Sequence, residues 1–184
     1  MDESVSADEQ ILAGLRDADK QERAFLWLMK NYQKRVYGLV IKIVFDHHDA
    51  DDVTQDTFIK AWERAAEVRD PEKLKAWLFK VATNEALRLL KKKRVRRYIP
   101  LHQNLKLENV VDENPHFSGE QAEKAFFKAM SKLSDRQRAV FNMRYFEEMK
   151  YEEISDIMDA KVGTLKATYH QSVEKLKKVL GDGW

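Results

Sequence analysis

Apolar residues recur at three- and four-residue intervals along most of this chain, which is the signature of one helix face after another. A short helix is predicted to start near Ser6 to Asp8 and to carry Ile11, Leu12 and Leu15 inward. A longer one runs from about Lys20 to Phe45, with Phe25, Leu28, Met29, Tyr32, Val36, Leu39, Val40 and Ile43 as its stripe. Its aromatic residues Phe25, Tyr32 and Tyr37 read as packing. The next helix extends from Asp49 to about Val68. Asp49 is its expected N-cap, and Asp51 and Asp52 lie in its first turn, where the helix dipole favours negative charge. Phe58, Ile59, Trp62, Ala65 and Ala66 form its expected buried face, leaving Asp52, Asp56, Lys60 and Glu63 outward. Asp70-Pro71-Glu72 then opens a fourth helix, with a cap, a proline at the first position and an acid behind it. Leu74, Trp77, Leu78, Val81, Ala82, Leu89 and Leu90 are its inward set.

The periodicity dissolves between Ile99 and Gly119, a mildly acidic stretch with two of the three prolines, and this reads as a flexible linker. Helix resumes at about Glu120 to Lys132, burying Ala122, Phe126, Phe127 and Met130. Ser134 and Gln137 have capping-box spacing ahead of Ala139, Val140, Met143 and Phe146. A short helix follows with Ile154, Ile157 and Met158 inward, then a turn at Asp159-Ala160-Lys161. The last helix carries Val162, Leu165, Tyr169, Val173, Leu176 and Leu180. A short helix, a tight turn and a longer helix make the helix-turn-helix plan. The expected fold is all-α: an N-terminal segment 1–19, helical domains 20–98 and 120–184, and a flexible linker 99–119 between them.

Composition supports this and narrows it. The 184 residues include only 6 Gly and 3 Pro, and 43% hydrophobic content supports packed cores, while 35% charged residues imply much exposed helix. A net charge of +2 means that any nucleic-acid binding has to come from local clusters. The chain has no cysteine, its first ten residues are acidic without an apolar core, and no stretch is long enough to span a membrane. A cytoplasmic protein with no membrane insertion is expected.

Three patches carry candidate chemistry. The outward face of the last helix, Thr164, Lys166, Ala167, Thr168, His170 and Gln171 with Lys161 at its start, is small, polar or basic. No acid falls between Ala160 and Val173, so that face can approach phosphates without repulsion. A bundle would show the same pair of helices, and the charge pattern is what favours DNA. The fourth helix ends in a dense basic run, Arg88 to Arg97, that includes Lys91, Lys92 and Arg94 and lies beside Trp77, Phe79 and Tyr98. Basic residues with aromatics nearby suit a nucleic-acid backbone and exposed bases, although cations also favour any helix C-terminus. The third patch is His47, His48, Asp49, Asp51, Asp52 and Asp56. It lacks the ligand spacing and central glycine of a calcium loop and the His-x-x-x-His pair of a helical zinc site, so capping plus a protein-docking face is the better reading. No catalytic constellation or phosphate loop stands out, and no cofactor is expected.

The order DADDVTQDTFIKAW, WLFKVATNEALRLLKKKR, linker, LSDRQRAVFNMRYFEEMKYEEISDIM and VGTLKATYH resembles the extracytoplasmic-function (ECF) sigma factors, two-domain bacterial transcription initiation factors. The likeness covers roughly residues 20–98 and 120–180. It implies that Asp49, Asp52, Gln55, Asp56 and Lys60 dock on the coiled coil of the polymerase's largest clamp subunit. It implies that the loop Val68 to Lys73 and the helix bearing Lys80, Asn84 and Arg88 read and melt the minus-ten element, with the basic run of Lys91, Lys92 and Arg94 beyond. Val162 to Gln171 matches the helix that reads the minus-thirty-five element, and the linker would thread towards the active-site and RNA-exit channels. Core RNA polymerase, promoter DNA and an anti-sigma factor are the implied partners.

The chain departs from the family's habits in the helix-turn-helix. Lys150 and Lys161 stand where Ser and Pro are common, Asp159 where Gly is common, Ala167 and Thr168 where Ser-Arg is common, and Gln171 where a further Arg follows the His. Losing two arginines removes phosphate and guanine contacts, so an unusual or weaker minus-thirty-five target is expected. The rival readings are a stand-alone helix-turn-helix regulator, which leaves the acidic face unexplained, and a metal-dependent phosphohydrolase using the His47 to Asp56 cluster. The linker also permits a closed, DNA-occluding arrangement of the two modules.

Overall fold

The computed structural model describes residues 5–96 and 121–181, and among them every regular element is helical. The α-helices are α1 (Ala7–Leu15), α2 (Gln21–Val44), α3 (His47–Arg64), α4 (Leu74–Arg96), α5 (Gln121–Met130), α6 (Asp135–Tyr145), α7 (Tyr151–Met158) and α8 (Val162–Leu180). Short 3-10 turns at Ala65–Glu67 and Pro71–Lys73 join α3 to α4. The expected linker and Tyr98 lie outside the described residues.

The long helix α2 is the spine of the first module. Leu28, Tyr32, Val36, Leu39, Val40 and Ile43 are buried at helical spacing, as the sequence pattern predicts. The short helix α1 lies close against it because position 14 is glycine. A Cβ there would stand 2.7 Å from the Ala24 Cβ. Ser6 caps α1 by accepting from the Glu9 N–H, and the Tyr32 hydroxyl donates to the Asp8 carboxylate at 2.7 Å. Burial, followed by that carboxylate, pushes the Tyr32 hydroxyl well above the ordinary phenol range.

Helix α3 differs from its sequence reading in two ways. Its N-cap is Asp46, whose side chain accepts from the Asp49 N–H at 2.9 Å. Asp49 is inside the first turn, buried, and ion-paired with Lys93 of α4. Asp46 wins because its backbone is extended, the conformation that an N-cap needs. The buried stripe is Ala50, Val53, Thr54, Thr57, Phe58 and Ala61, while Ile59 and Trp62 are 50% and 41% exposed. Helix α4 begins as expected, with Asp70 accepting from the Glu72 N–H before the 3-10 turn passes into the helix. Phe79 is fully buried and Trp77 half-buried, so Phe79 is core and cannot stack on a base.

In the second module the capping box forms: the Gln137 N–H donates to Ser134 Oγ at 3.2 Å and the Ser134 N–H to Gln137 Oε1 at 3.1 Å. Between α7 and α8 the turn residue Asp159 is left-handed (φ 47°), a conformation that Asp tolerates better than most side chains. Ser155 Oγ donates to the Ala160 carbonyl at 2.6 Å and Arg136 to the Met158 carbonyl at 3.1 Å, satisfying groups that the helix end leaves open. Lys150 is not a side-chain cap. Its N–H instead donates to Glu153 Oε2 at 2.7 Å, so the glutamate supplies the missing half.

The two modules pack against each other, α6 on α2 and α7 on α4. Ala139, Val140, Met143, Ile154, Ile157 and Leu165 continue the core of the first module without a break. Phe45, left-handed at the end of α2 (φ 56°), places its buried ring edge-on to Phe127 of α5 at 6.0 Å, with the Arg138 guanidinium 4.8 Å from it. Glu147, only 14% exposed, accepts from Arg35 at 2.9 Å and lies 3.5 Å from Lys75. Lys42 of α2 sits 4.6 Å from the Phe146 ring. Burial holds the Lys42 ammonium below the usual lysine range, and Glu147 offsets part of that. Arg94 of α4 pairs with Asp135 of α6. Sandwiched this way, α6 buries Arg138 and Asn142 as well as its apolar residues. Among the described residues, neither polar atom of the Asn142 amide has a hydrogen-bond partner.

Candidate docking and nucleic-acid surfaces

The outer face of α3 presents Asp52, Gln55 and Asp56 to solvent. Asp49 is not on this face, and Lys60 leans towards α4, where it pairs with Glu85. Beside the acids, α2 and α3 enclose an open groove of about 690 Å³ lined by Phe25, Met29 and Tyr37 of α2 and by Phe58, Ile59 and Trp62 of α3. Leu26 and Trp27 add exposed apolar surface on the neighbouring turn of α2 (61% and 39%). Rigid aromatic walls rimmed by charge are what a protein partner buries. Sequence reasoning placed Ile59 and Trp62 in the core and missed this groove, although the apolar stripe of α3 is wider than two neighbouring helices need. His47 hydrogen-bonds and stacks with Tyr37 (2.5 Å), and the Asp49 carboxylate is taken by Lys93. Among the described residues no group of three or more His, Asp or Glu converges as metal ligands would.

On α4, Lys80, Asn84, Arg88, Lys91, Lys92 and Arg94 are all exposed, and the first four follow helical spacing along one face. Arg88 pairs with Glu85, and Arg94 is held by Asp135 across the module boundary. Glu85 is a buried anchor beneath this face. Burial raises its carboxyl pKa, but the hydrogen bonds from Lys60 and Arg88 outweigh it and hold the group below its ordinary value. Its stabilising contribution is therefore complete above the unfolded carboxyl range and is lost as pH falls through the depressed folded value. A Glu85→Gln variant should melt below the parent near neutral pH, and that gap should narrow on acidification. A gap independent of pH would mean the charge contributes nothing.

On α8, Lys161, Thr164, Lys166, Ala167, His170 and Gln171 are exposed, and Thr168 is half-buried. The Thr168 hydroxyl donates to the Thr164 carbonyl at 2.8 Å, so its proton is committed within the helix. Leu165 and Leu176 point inward, and Tyr169 stacks on Phe141 at 5.7 Å, which fixes the rotation of the helix. No acid lies in the first turn, and Lys161 provides no side-chain cap there. The amide end of the helix is thus open towards an anionic ligand.

A short helix, a left-handed turn and an exposed acid-free helix, packed on a unit with its own basic helix, define a two-module protein of the helix-turn-helix DNA-binding class. Residues 28–96 match the Sigma-70 region 2 family and residues 124–176 match the Sigma-70, region 4 family. The chain is 30% identical to the RNA polymerase sigma-H factor of Pseudomonas aeruginosa, over 94% of this chain and 93% of that protein. It is 27% identical to the ECF RNA polymerase sigma factor SigW of Bacillus subtilis, over 86% and 90%. Among solved structures it resembles the sigma factor RpoE in complex with the anti-sigma factor NepR from Bartonella quintana (TM-score 0.74, 23% identity, 87% and 98% covered). It also resembles CnrH in complex with the cytosolic domain of CnrY (TM-score 0.67, 24% identity, 95% and 97% covered). The chain belongs to the ECF group of the sigma-70 family and is an alternative sigma factor, acting in transcription initiation with core RNA polymerase at promoter DNA.

Proposed function

We propose that the modules divide the work of initiation, with residues 20–98 docking on core polymerase and capturing the minus-ten element and residues 120–184 binding the minus-thirty-five element. In this reading Asp52, Gln55 and Asp56 with the adjacent apolar groove form the polymerase contact, and Asp49 and Lys60 support it from within. Lys80, Asn84, Arg88, Lys91, Lys92 and Arg94 hold the melted non-template strand. Lys161, Thr164, Lys166, Ala167, Thr168, His170 and Gln171 face the duplex. The protein works in the cytoplasm and carries no catalysis of its own; polymerisation belongs to its partner. No helix among the described residues is long and apolar enough to cross a membrane, which agrees with that setting.

The observation that carries this reading is the pairing, on adjacent helices of one packed unit, of an acidic and apolar face on α3 with a basic face on α4. One face suits a protein and the other a nucleic-acid strand. The test is promoter-dependent run-off transcription with purified core polymerase. Specific transcripts that require the protein support it; duplex binding without any association with core would sink it.

Because both similar structures are complexes of a sigma factor with an anti-sigma protein, we infer that an anti-sigma factor also restrains this chain. On the duplex side, Lys166→Ala should weaken promoter binding by a similar factor at every sequence and lower the logarithmic salt slope by about 1, as loss of one phosphate contact does. A changed sequence preference with an unchanged slope would instead make Lys166 a base-reading residue.

A further inference from the structure

We propose that Arg16, at the end of α1, is a positioning residue for base capture by the loop Val68 to Lys73. This rests on the reading of that loop as the minus-ten contact. The Arg16 guanidinium reaches across fifty residues of sequence to two backbone carbonyls. Its Nε donates to the Ala66 oxygen at 3.1 Å and its NH2 nitrogen to the Val68 oxygen at 2.5 Å. These carbonyls lie where the 3-10 turn Ala65–Glu67 gives way to the loop, so their own chain has no helical donor left for them. A planar fork with fixed donor directions sets the angle between two carbonyls two residues apart. A lysine, as a single point charge, cannot do so.

The arginine is itself held firmly. Ile11, Leu12 and Leu15 of α1 are buried, Gly14 lets α1 settle onto Ala24, and Tyr32 is bonded to Asp8. Helix α1 therefore acts as a brace whose far end fixes the start of the loop. Beyond the clamped carbonyls, Arg69, Asp70, Glu72 and Lys73 are exposed, and the Asp70 side chain already accepts from the Glu72 N–H. With both ends pinned, the loop holds one shape for an extruded base, and a preorganised pocket discriminates better than one ordered on binding. The Sigma-70 region 2 match begins at residue 28, so α1 and Arg16 lie ahead of it.

The experiment uses full-length protein assembled with core polymerase. A fluorescent non-template oligonucleotide spanning the minus-ten element is titrated with each of the four bases at the captured position, using the parent, Arg16→Ala and Arg16→Lys. Loss of a charge-assisted pair of hydrogen bonds should reduce discrimination between the preferred base and the others by about tenfold in Arg16→Ala. Arg16→Lys should recover only part of it, and core affinity and binding to minus-thirty-five duplex should stay at parental levels. A purely structural role would lower the melting temperature and core affinity while leaving the base ratio intact, and that result overturns the proposal. Where Arg16→Ala is too unstable to assemble, Arg16→Lys alone decides: an undiminished base ratio overturns it. Arg69→Ala with Lys73→Ala in the loop separates the two levels. If those substitutions leave the base ratio unchanged as well, the loop is not the reader and the underlying assignment fails; if they change it while Arg16 variants do not, only the positioning role fails.

Discussion

Replacing Asp52 and Asp56 together by lysine should reduce affinity for core polymerase by at least about a hundredfold while leaving the melting temperature unchanged. Both carboxylates project into solvent from α3. Reversing an interfacial charge converts attraction into repulsion, and close charge pairs at protein interfaces couple by about 1.5–7 kcal/mol. Two reversals thus exceed the roughly 2.7 kcal/mol that corresponds to a hundredfold change in the dissociation constant. Equilibrium binding of the double variant to labelled core polymerase measures it directly, with circular dichroism melting as the control for folding. Near-parental affinity would show that α3 is not the docking element and would return its acids to a merely solvating role. The choice of these two residues depends on the structure. Asp49 is engaged with Lys93, so its reversal would disturb the α3–α4 packing and report on folding instead.

Glu147→Lys should open the protein. The wild-type carboxylate is clasped by Arg35 and Lys75 of the first module, with Lys42 close by in a buried setting. A lysine there would place a fourth cation among three. Removing one partner of a well-buried pair costs about 3–5 kcal/mol. Arg35 is half-exposed and partly screened, so about 3 kcal/mol is the reasonable expectation, enough to lower the closed-to-open ratio by more than a hundredfold. Small-angle scattering should show a larger radius of gyration at unchanged helix content, and Glu147→Gln should lie between the two. Superimposable scattering curves for Glu147→Lys and the parent would mean that the apolar contacts of Val140 and Met143 suffice without the clasp.

Much of this architecture was readable in advance because helix ends carry local chemistry. Ser6, Asp70 and the Ser134–Gln137 pair act within four residues of themselves, so spacing alone locates them. The cap of α3 was misplaced from Asp46 to Asp49 because several aspartates crowd the same turn and only backbone conformation selects among them. The apolar width of α3 was legible, but its purpose was not. A helix that buries Phe58 while leaving Ile59 and Trp62 largely exposed has the same pattern as one that buries all three. The fixed packing of the two modules was hidden for a related reason. Helix α6 is buried on both flanks, yet Arg138 and Asn142 occupy one of them, and their polarity reads as solvent exposure. On α8, the exposed residues matched the predicted face, and only the half-buried Thr168, with its hydroxyl turned to its own helix, departs from it. The lysines at 150 and 161 are compatible with helix starts, the first because Glu153 supplies the acceptor and the second because its backbone is extended, as an N-cap position needs, although it makes no side-chain cap.

The unpartnered amide of Asn142 sets how tightly the molecule can hold itself shut. Each such group, sealed from water in the closed state and hydrated in the open one, subtracts about 1–3 kcal/mol from closure. For any ligand that binds only separated modules, the apparent dissociation constant is the intrinsic one divided by the open fraction. A leucine at this position would keep the apolar packing, remove the penalty and weaken the apparent affinity for any such ligand. The asparagine therefore acts against closure, easing separation of the modules wherever a ligand needs them apart.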